Sequence, residues 1–178
     1  ITVSGGEPLF QIDFLLELFT LAKEKNVNTC IDTSGAPFTR EGKWFETFQR
    51  LMDVTDLLLM DIKHINEDEH IKLTGRSGKN IKDMFYYLDE IAKPIWIRHV
   101  LTPGITDNDE YLTETRDFIR TLSNVQRVEI LPYHGLGAAK YKDLGMDYVL
   151  KDTPSPSEER IKNAQKILEC DKYDAWKK

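Results

Sequence analysis

Five short apolar runs in this chain end in polar or ionisable residues, and together those residues suit a zwitterionic ligand. The first run ends in Ser4-Gly5-Gly6-Glu7, the second in Asp32-Thr33-Ser34-Gly35 and the third in Asp61-Ile62-Lys63. The fourth carries Arg98 and His99, with Pro103-Gly104 soon after, and the fifth ends in Pro132-Tyr133-His134. Lys63, Arg98 and His134 offer positive or hydrogen-bonding groups, and Asp32 and Asp61 offer negative ones. Gly5-Gly6 offers backbone groups with no Cβ in the way. An amino acid moiety has a carboxylate for Lys63 or His134 and an ammonium for an acid or a backbone carbonyl. No P-loop, nucleophile elbow or dinucleotide fingerprint is present.

Each residue also has a plainer role. Asp32 could cap the turn through Thr33-Ser34-Gly35. Asp61 and Lys63 share one face of their strand and could form a simple rim ion pair. Arg98 could pair with any nearby acid, and His134 could be an ordinary loop histidine. His64, His70 and His99 have no metal-ligand spacing and read as structural or solvated. Glu67-Asp68-Glu69 reads as a solvated helix start.

The elements that must position these residues alternate. Strands are predicted at Ile1–Ser4, Asn28–Asp32, Leu57–Lys63, Pro94–Leu101 and Val125–Pro132. Their nearly continuous apolar runs suit burial on both faces. Helical stripes fall between them: Phe10, Phe14, Leu15, Leu18, Phe19 and Ala22; Trp44, Phe45, Phe48, Leu51 and Met52; Ile81, Phe85, Leu88 and Ile91; Tyr111, Leu112, Thr115, Phe118, Ile119 and Leu122. A last helix begins at Ser157, with acids in its first turn. The phenylalanine and tryptophan stripes read as core. Alternating β and α elements imply a parallel sheet in an α/β fold. In such folds the C-terminal strand ends share the face that holds the site. The segment from Tyr133 to Pro156 reads as a functional or wrapping loop.

The 178 residues suffice for one domain with a sizeable core. A net charge of −6 argues against nucleic acid or an anionic membrane as partner. Cys30 and Cys170 form no Cys-x-x-Cys pair and read as reduced thiols of a cytoplasmic protein, neither a metal ligand.

Val3-Ser4-Gly5-Gly6-Glu7-Pro8, Cys30-Ile31-Asp32-Thr33-Ser34-Gly35 and Asp56-Leu57-Leu58-Leu59-Met60-Asp61-Ile62-Lys63 resemble the glycyl-radical-enzyme activases of the radical S-adenosylmethionine superfamily. Trp96-Ile97-Arg98-His99-Val100, Pro103-Gly104 and Leu131-Pro132-Tyr133-His134 strengthen the likeness, which runs from Ile1 to about Leu168. The resemblance implies a partial (β/α)6 TIM-like barrel, of which residues 1–178 are the C-terminal part, with about five parallel strands. In that family a 4Fe-4S cluster donates one electron to S-adenosylmethionine. The resulting 5′-deoxyadenosyl radical takes a hydrogen from a backbone glycine of a partner glycyl radical enzyme. A flavodoxin or ferredoxin would supply the electron. By the same resemblance Gly5, Gly6 and Glu7 would cradle the methionine amino group through backbone atoms. Asp61, Ile62, Lys63 and His134 would line the rest of that site. Asp32, Thr33 and Asp61, with the Leu59 carbonyl, resemble a monovalent-cation site, and Arg98 would lie near the glycine-bearing peptide.

The family's Cys-x-x-x-Cys-x-x-Cys loop has no counterpart in this sequence, and Cys30 and Cys170 cannot replace three converging thiolates. Ile1 already lies in a strand, which reads as an N-terminal truncation that leaves Ile1–Ser4 at a sheet edge. The chain as given is therefore expected to hold no cluster and to perform no radical chemistry. Two other readings stand beside this one: a binding scaffold for S-adenosylmethionine or a peptide, and an aldolase-like barrel using Lys63 as a Schiff-base nucleophile.

Overall fold

The computed structural model describes residues 1–135, 137, 141, 143–148, 150 and 152–177. Its strands are β1 (Thr2–Val3), β2 (Cys30–Thr33), β3 (Leu57–Asp61), β4 (Ile95–Leu101) and β5 (Val125–Pro132). Its helices are α1 (Ile12–Glu24), α2 (Gly42–Asp53), α3 (Glu67–Thr74), α4 (Lys79–Glu90), α5 (Asp109–Ile119) and α6 (Glu158–Ile167). The strands form one five-stranded sheet whose spatial order follows the chain, and every neighbouring pair is parallel. The order never reverses, so the chain winds as a barrel does rather than as a doubly wound sheet. The five predicted strands and their α/β arrangement are all present.

Burial on both faces is not. Side chains alternate along β4, with Ile95, Ile97, His99 and Leu101 buried and Trp96, Arg98 and Val100 half-buried between them. One face of the sheet packs Ile31, Leu58, Met60, Ile97 and Ile130 against Leu15, Phe19, Phe48, Leu51, Phe85 and Leu88 of the helices. The other face carries Cys30, Asp32, Leu57, Leu59, Asp61, Trp96, Arg98, Arg127 and Glu129, all half-buried. Leu57 and Leu59 make β3 look continuously apolar although its two faces differ. Period-two alternation separates them, and the helices cover only one side.

The first helical stripe also divides. Ile12, Leu15 and Phe19 of α1 are buried, but Phe10 and Phe14, expected in the core, are 69% and 56% exposed. Helical spacing puts these side chains on neighbouring sides of one cylinder, and no described element lies over Phe10 and Phe14.

Local sequence sets the boundaries. Asn66 accepts from the amides of Asp68 and Glu69 to start α3, which ends at Gly75 in the left-handed conformation. Asn108 caps α5, and Ser157 caps α6 where the acid-rich start was expected. Part of the Tyr133–Pro156 segment lies outside the described residues. Within it the Tyr133 hydroxyl lies 3.0 Å from the Tyr148 hydroxyl and donates to the Leu150 carbonyl at 3.0 Å, folding the loop back on the end of β5. Beyond α6 the chain crosses to the half-open face. There the Arg127 guanidinium packs against both Trp96, at 4.9 Å, and Trp176, at 4.4 Å, and the two indoles meet edge to face. Among the described residues no helix is long and apolar enough to cross a membrane.

Candidate functional site

The C-terminal rim begins at the turn after β1. Gly5 and Gly6 have φ of +94° and +57°, a region costly for residues with a Cβ. A Cβ on either would meet nothing within 4 Å. These glycines are thus required by the backbone rather than by crowding, and the space before them is open. Pro8 then enters a 3-10 turn that leads into α1.

Glu7 turns inward from that loop. Its Oε1 accepts from the Leu9 amide at 3.1 Å and the Thr33 hydroxyl at 2.5 Å. Its Oε2 accepts from the Ser34 amide at 2.9 Å and the Ser34 hydroxyl at 2.5 Å. A carboxylate has about four acceptor positions, so its capacity is filled. Ser34, which in sequence is only part of the Thr33-Ser34-Gly35 turn, is a second partner of this carboxylate. Its signal in the sequence is indirect, two adjacent hydroxyls at a strand end and an acid in the turn after the neighbouring strand.

On the half-open face, Arg98 of β4 links two acids. Its Nε donates to Asp61 Oδ1 at 2.9 Å, its Nη1 to Asp32 Oδ2 at 3.0 Å, and its Nη2 to Asp32 Oδ1. Asp61 Oδ2 also accepts from Lys63 Nζ at 2.7 Å. Burial alone would lower the guanidinium pKa, but the hydrogen bonds and charges of Asp32 and Asp61 override it and raise the value. Behind this group Arg98 stands opposite Glu129 on β5, which also accepts from Arg127 at 2.8 Å.

Gly5, Gly6, Glu7, Asp32, Asp61, Lys63 and Arg98 are thus brought to one rim. His134, at the end of β5, is exposed. Ile62 does not join them. Its side chain is 6% exposed in the helix-facing core, its amide donates to the Arg98 carbonyl and its own carbonyl faces His99. Strand alternation sends it away from Asp61 and Lys63. The same alternation turns the Thr33 side chain from Asp32 toward Glu7, so its hydroxyl does not join Asp32 and Asp61 around one ion. Those two carboxylates already hold Arg98. His64, His70 and His99 are structural and, at 5% exposure or less, none is solvated. Lys63 is an ion-paired ammonium with a 37% exposed side chain. That is the opposite of the desolvated amine a Schiff base needs.

Residues 1–119 match the Radical SAM superfamily. The chain is 49% identical over 178 residues to a pyruvate formate-lyase-activating enzyme of Streptococcus mutans, covering all of this chain and 68% of the relative. It is 51% identical over 173 residues to the enzyme of that name from Listeria monocytogenes, covering 97% and 70%. In fold it resembles a crystallised domain of a pyruvate-formate lyase-activating enzyme from Bacteroides vulgatus, with a TM-score of 0.77 at 22% identity, covering 98% of this chain and 95% of that one. The chain belongs to the radical SAM superfamily and, within it, to the pyruvate formate-lyase-activating enzymes. It is of the activating-enzyme type.

That family implies S-adenosylmethionine and a 4Fe-4S cluster. The open glycine turn and the mixed charges of the rim fit the first. The cysteines present do not fit the second. Cys30 opens β2 at the strand end opposite the rim, Cys170 follows α6, and both are free thiols. Burial raises the Cys30 thiol, and raises that of Cys170 to about 11, so neither is readily a thiolate.

Proposed function

We propose that this chain carries the S-adenosylmethionine-binding and glycine-presenting rim of an enzyme that activates pyruvate formate-lyase or a related glycyl radical enzyme. The observation that carries this reading is the meeting of the open Gly5-Gly6 turn with the Asp32–Arg98–Asp61–Lys63 group on one rim. Gly5 and Gly6 offer backbone atoms to the ligand's ammonium. Lys63 and His134 offer positive or hydrogen-bonding groups to its carboxylate, and Arg98 lies on the side where the partner's peptide would enter. S-adenosylmethionine supplies the radical that would remove a hydrogen from the partner's backbone glycine. The electron would come from a flavodoxin or ferredoxin. A monovalent cation between Asp32 and Asp61 would have to displace Arg98, so this reading leaves that place to the guanidinium.

The 178 residues alone bind without turnover in this reading, because three converging thiolates are not among them. Isothermal titration with S-adenosylmethionine tests the binding half, and absence of heat at millimolar ligand would count against it. The catalytic half is tested anaerobically by joining these residues to a cluster-bearing segment of a relative, with reductant and pyruvate formate-lyase. A glycyl radical signal in electron paramagnetic resonance is expected. A reconstituted protein that cleaves S-adenosylmethionine yet leaves the lyase silent would point to another partner.

A further inference from the structure

We infer that the C-terminal face carries a second contact for the partner enzyme, a pocket apart from the rim that seats a large apolar side chain of the partner's folded body. The inference rests on the reading of this chain as an activase and adds a surface to it. The pocket has a volume of about 320 Å³ and three walls. Glu69, Lys72 and Leu73 of α3 form one, since spacings of three and four residues put them on one side of the helix. Ile105, between β4 and α5, forms the second, and Tyr141, Tyr148 and Leu150, beyond β5, form the third. All three walls belong to connections that leave the C-terminal ends of strands, so the pocket lies on the face that holds the rim. α3 itself begins four residues after Lys63.

The lining suits an apolar guest. Leu73 and Tyr141 are 37% and 38% exposed, and Ile105, Tyr148 and Leu150 are half-buried. The two charges at the edge, Lys72 and Glu69, bond each other at 2.5 Å, which leaves a charged guest little to pair with. The third wall is built into the fold. The single hydroxyl hydrogen of Tyr133 goes to the Leu150 carbonyl, so Tyr148 donates to Tyr133, and both wall residues are tied to the end of β5. Tyr141 then packs on Tyr148 at 4.8 Å between ring centroids. The position names the guest. A specific protein complex buries about 800 Å² on each side, far more than a short glycine segment entering the rim supplies. The rest of the partner's contact has to spread over this same face. Binding energy in such surfaces gathers where an apolar anchor fills a pocket.

The experiment measures binding to the whole chain by biolayer interferometry with two probes: purified pyruvate formate-lyase, and a synthetic peptide of its glycine-bearing segment. Wild type should hold the lyase at least about tenfold more tightly than the peptide. Leu73→Asp should weaken the lyase about tenfold and the peptide less than about twofold, while Leu73→Met keeps lyase binding. Tyr141→Ala should act in the same sense, and thermal melting by circular dichroism should show both variants folded. Equal weakening of both probes would make the pocket a merely structural feature and overturn the inference. So would unchanged lyase binding in the variants, or a wild-type chain that holds the lyase no more tightly than the peptide. A dimer of the chain in sedimentation that Leu73→Asp abolishes would overturn it too, since the pocket would then join two copies. A wild-type chain that binds neither probe would instead remove the activase reading on which the inference stands.

Discussion

Arg98 and Asp61 stand opposite each other in the β3–β4 register, and the guanidinium Nε donates to Asp61 Oδ1 at 2.9 Å. The same side chain reaches Asp32 on β2, one strand further, so a single arginine ties three strands at the rim. Planarity makes this possible, since a guanidinium presents several donors in fixed directions and an ammonium does not.

Removing that fork leaves two half-buried carboxylates facing each other. Arg98→Leu should cost about 2 kcal/mol in urea unfolding, with Arg98→Lys recovering only part of it. Adding Asp32→Asn to Arg98→Leu should return some stability. Strictly additive losses would mean that the bridge contributes nothing.

Stability should fall with acid in the imidazole range. His99 is 2% exposed, with Nδ1 2.9 Å from the Ile62 carbonyl and Nε2 3.3 Å from that of Thr106. Burial lowers its pKa, and lowers that of His64 too. A histidine held neutral in the fold takes its proton more readily when unfolded. Its neutral state is fully stabilising above the ordinary value of about 6.5, and stability declines as pH drops from there toward the depressed folded values. The urea midpoint should hold steady above about pH 7 and decrease as the pH falls below the ordinary value of about 6.5, less so in His99→Gln. A midpoint that rises on acidification would contradict this.

The two sides of α1 should respond differently. Phe19 is fully buried, and Phe19→Ala should cost about 3–5 kcal/mol. Phe14 is 56% exposed, and Phe14→Glu should change stability by less than about 0.5 kcal/mol while improving solubility. Calorimetric melting of both variants would separate them.

Gly35 follows Ser34 with φ +78°, and a Cβ there would lie 3.0 Å from Met84 Sδ and 3.2 Å from Met60 Cε. Gly35→Ala should therefore destabilise by about 1–3 kcal/mol, from backbone strain and crowding together. A melting temperature equal to wild type would show that the methionines yield freely.

Much of this molecule is legible in its sequence because strand ends and helix caps are local. Ser4-Gly5-Gly6-Glu7-Pro8 announces a strand, a turn and a helix without reference to anything distant, and Ser157 marks the start of α6 on its own. What distant elements decide is harder to read. Phe14 and Phe19 have the same chemistry, and only the neighbours of α1 separate them. Leu57 and Leu58 are both leucines on opposite faces of β3, and helices packed on only one of those faces leave the other half-open. Of α3 only the acidic start was legible, since eight residues hold too little periodicity to declare a helix. Glu7 was readable as a site residue. That its side chain is consumed by Thr33 and Ser34 depends on the register between two strands some twenty-five residues apart.

The Arg127 guanidinium sits against two indoles, one rooted in β4 and the other two residues before the last. Indole emission responds to an adjacent cation and to water, and Trp176 is 41% exposed. The terminal arm thus carries its own optical gauge. Its release from the sheet would change the fluorescence of Trp96 and Trp176 together and leave Trp44, packed against Phe38 and Phe48, as an internal reference.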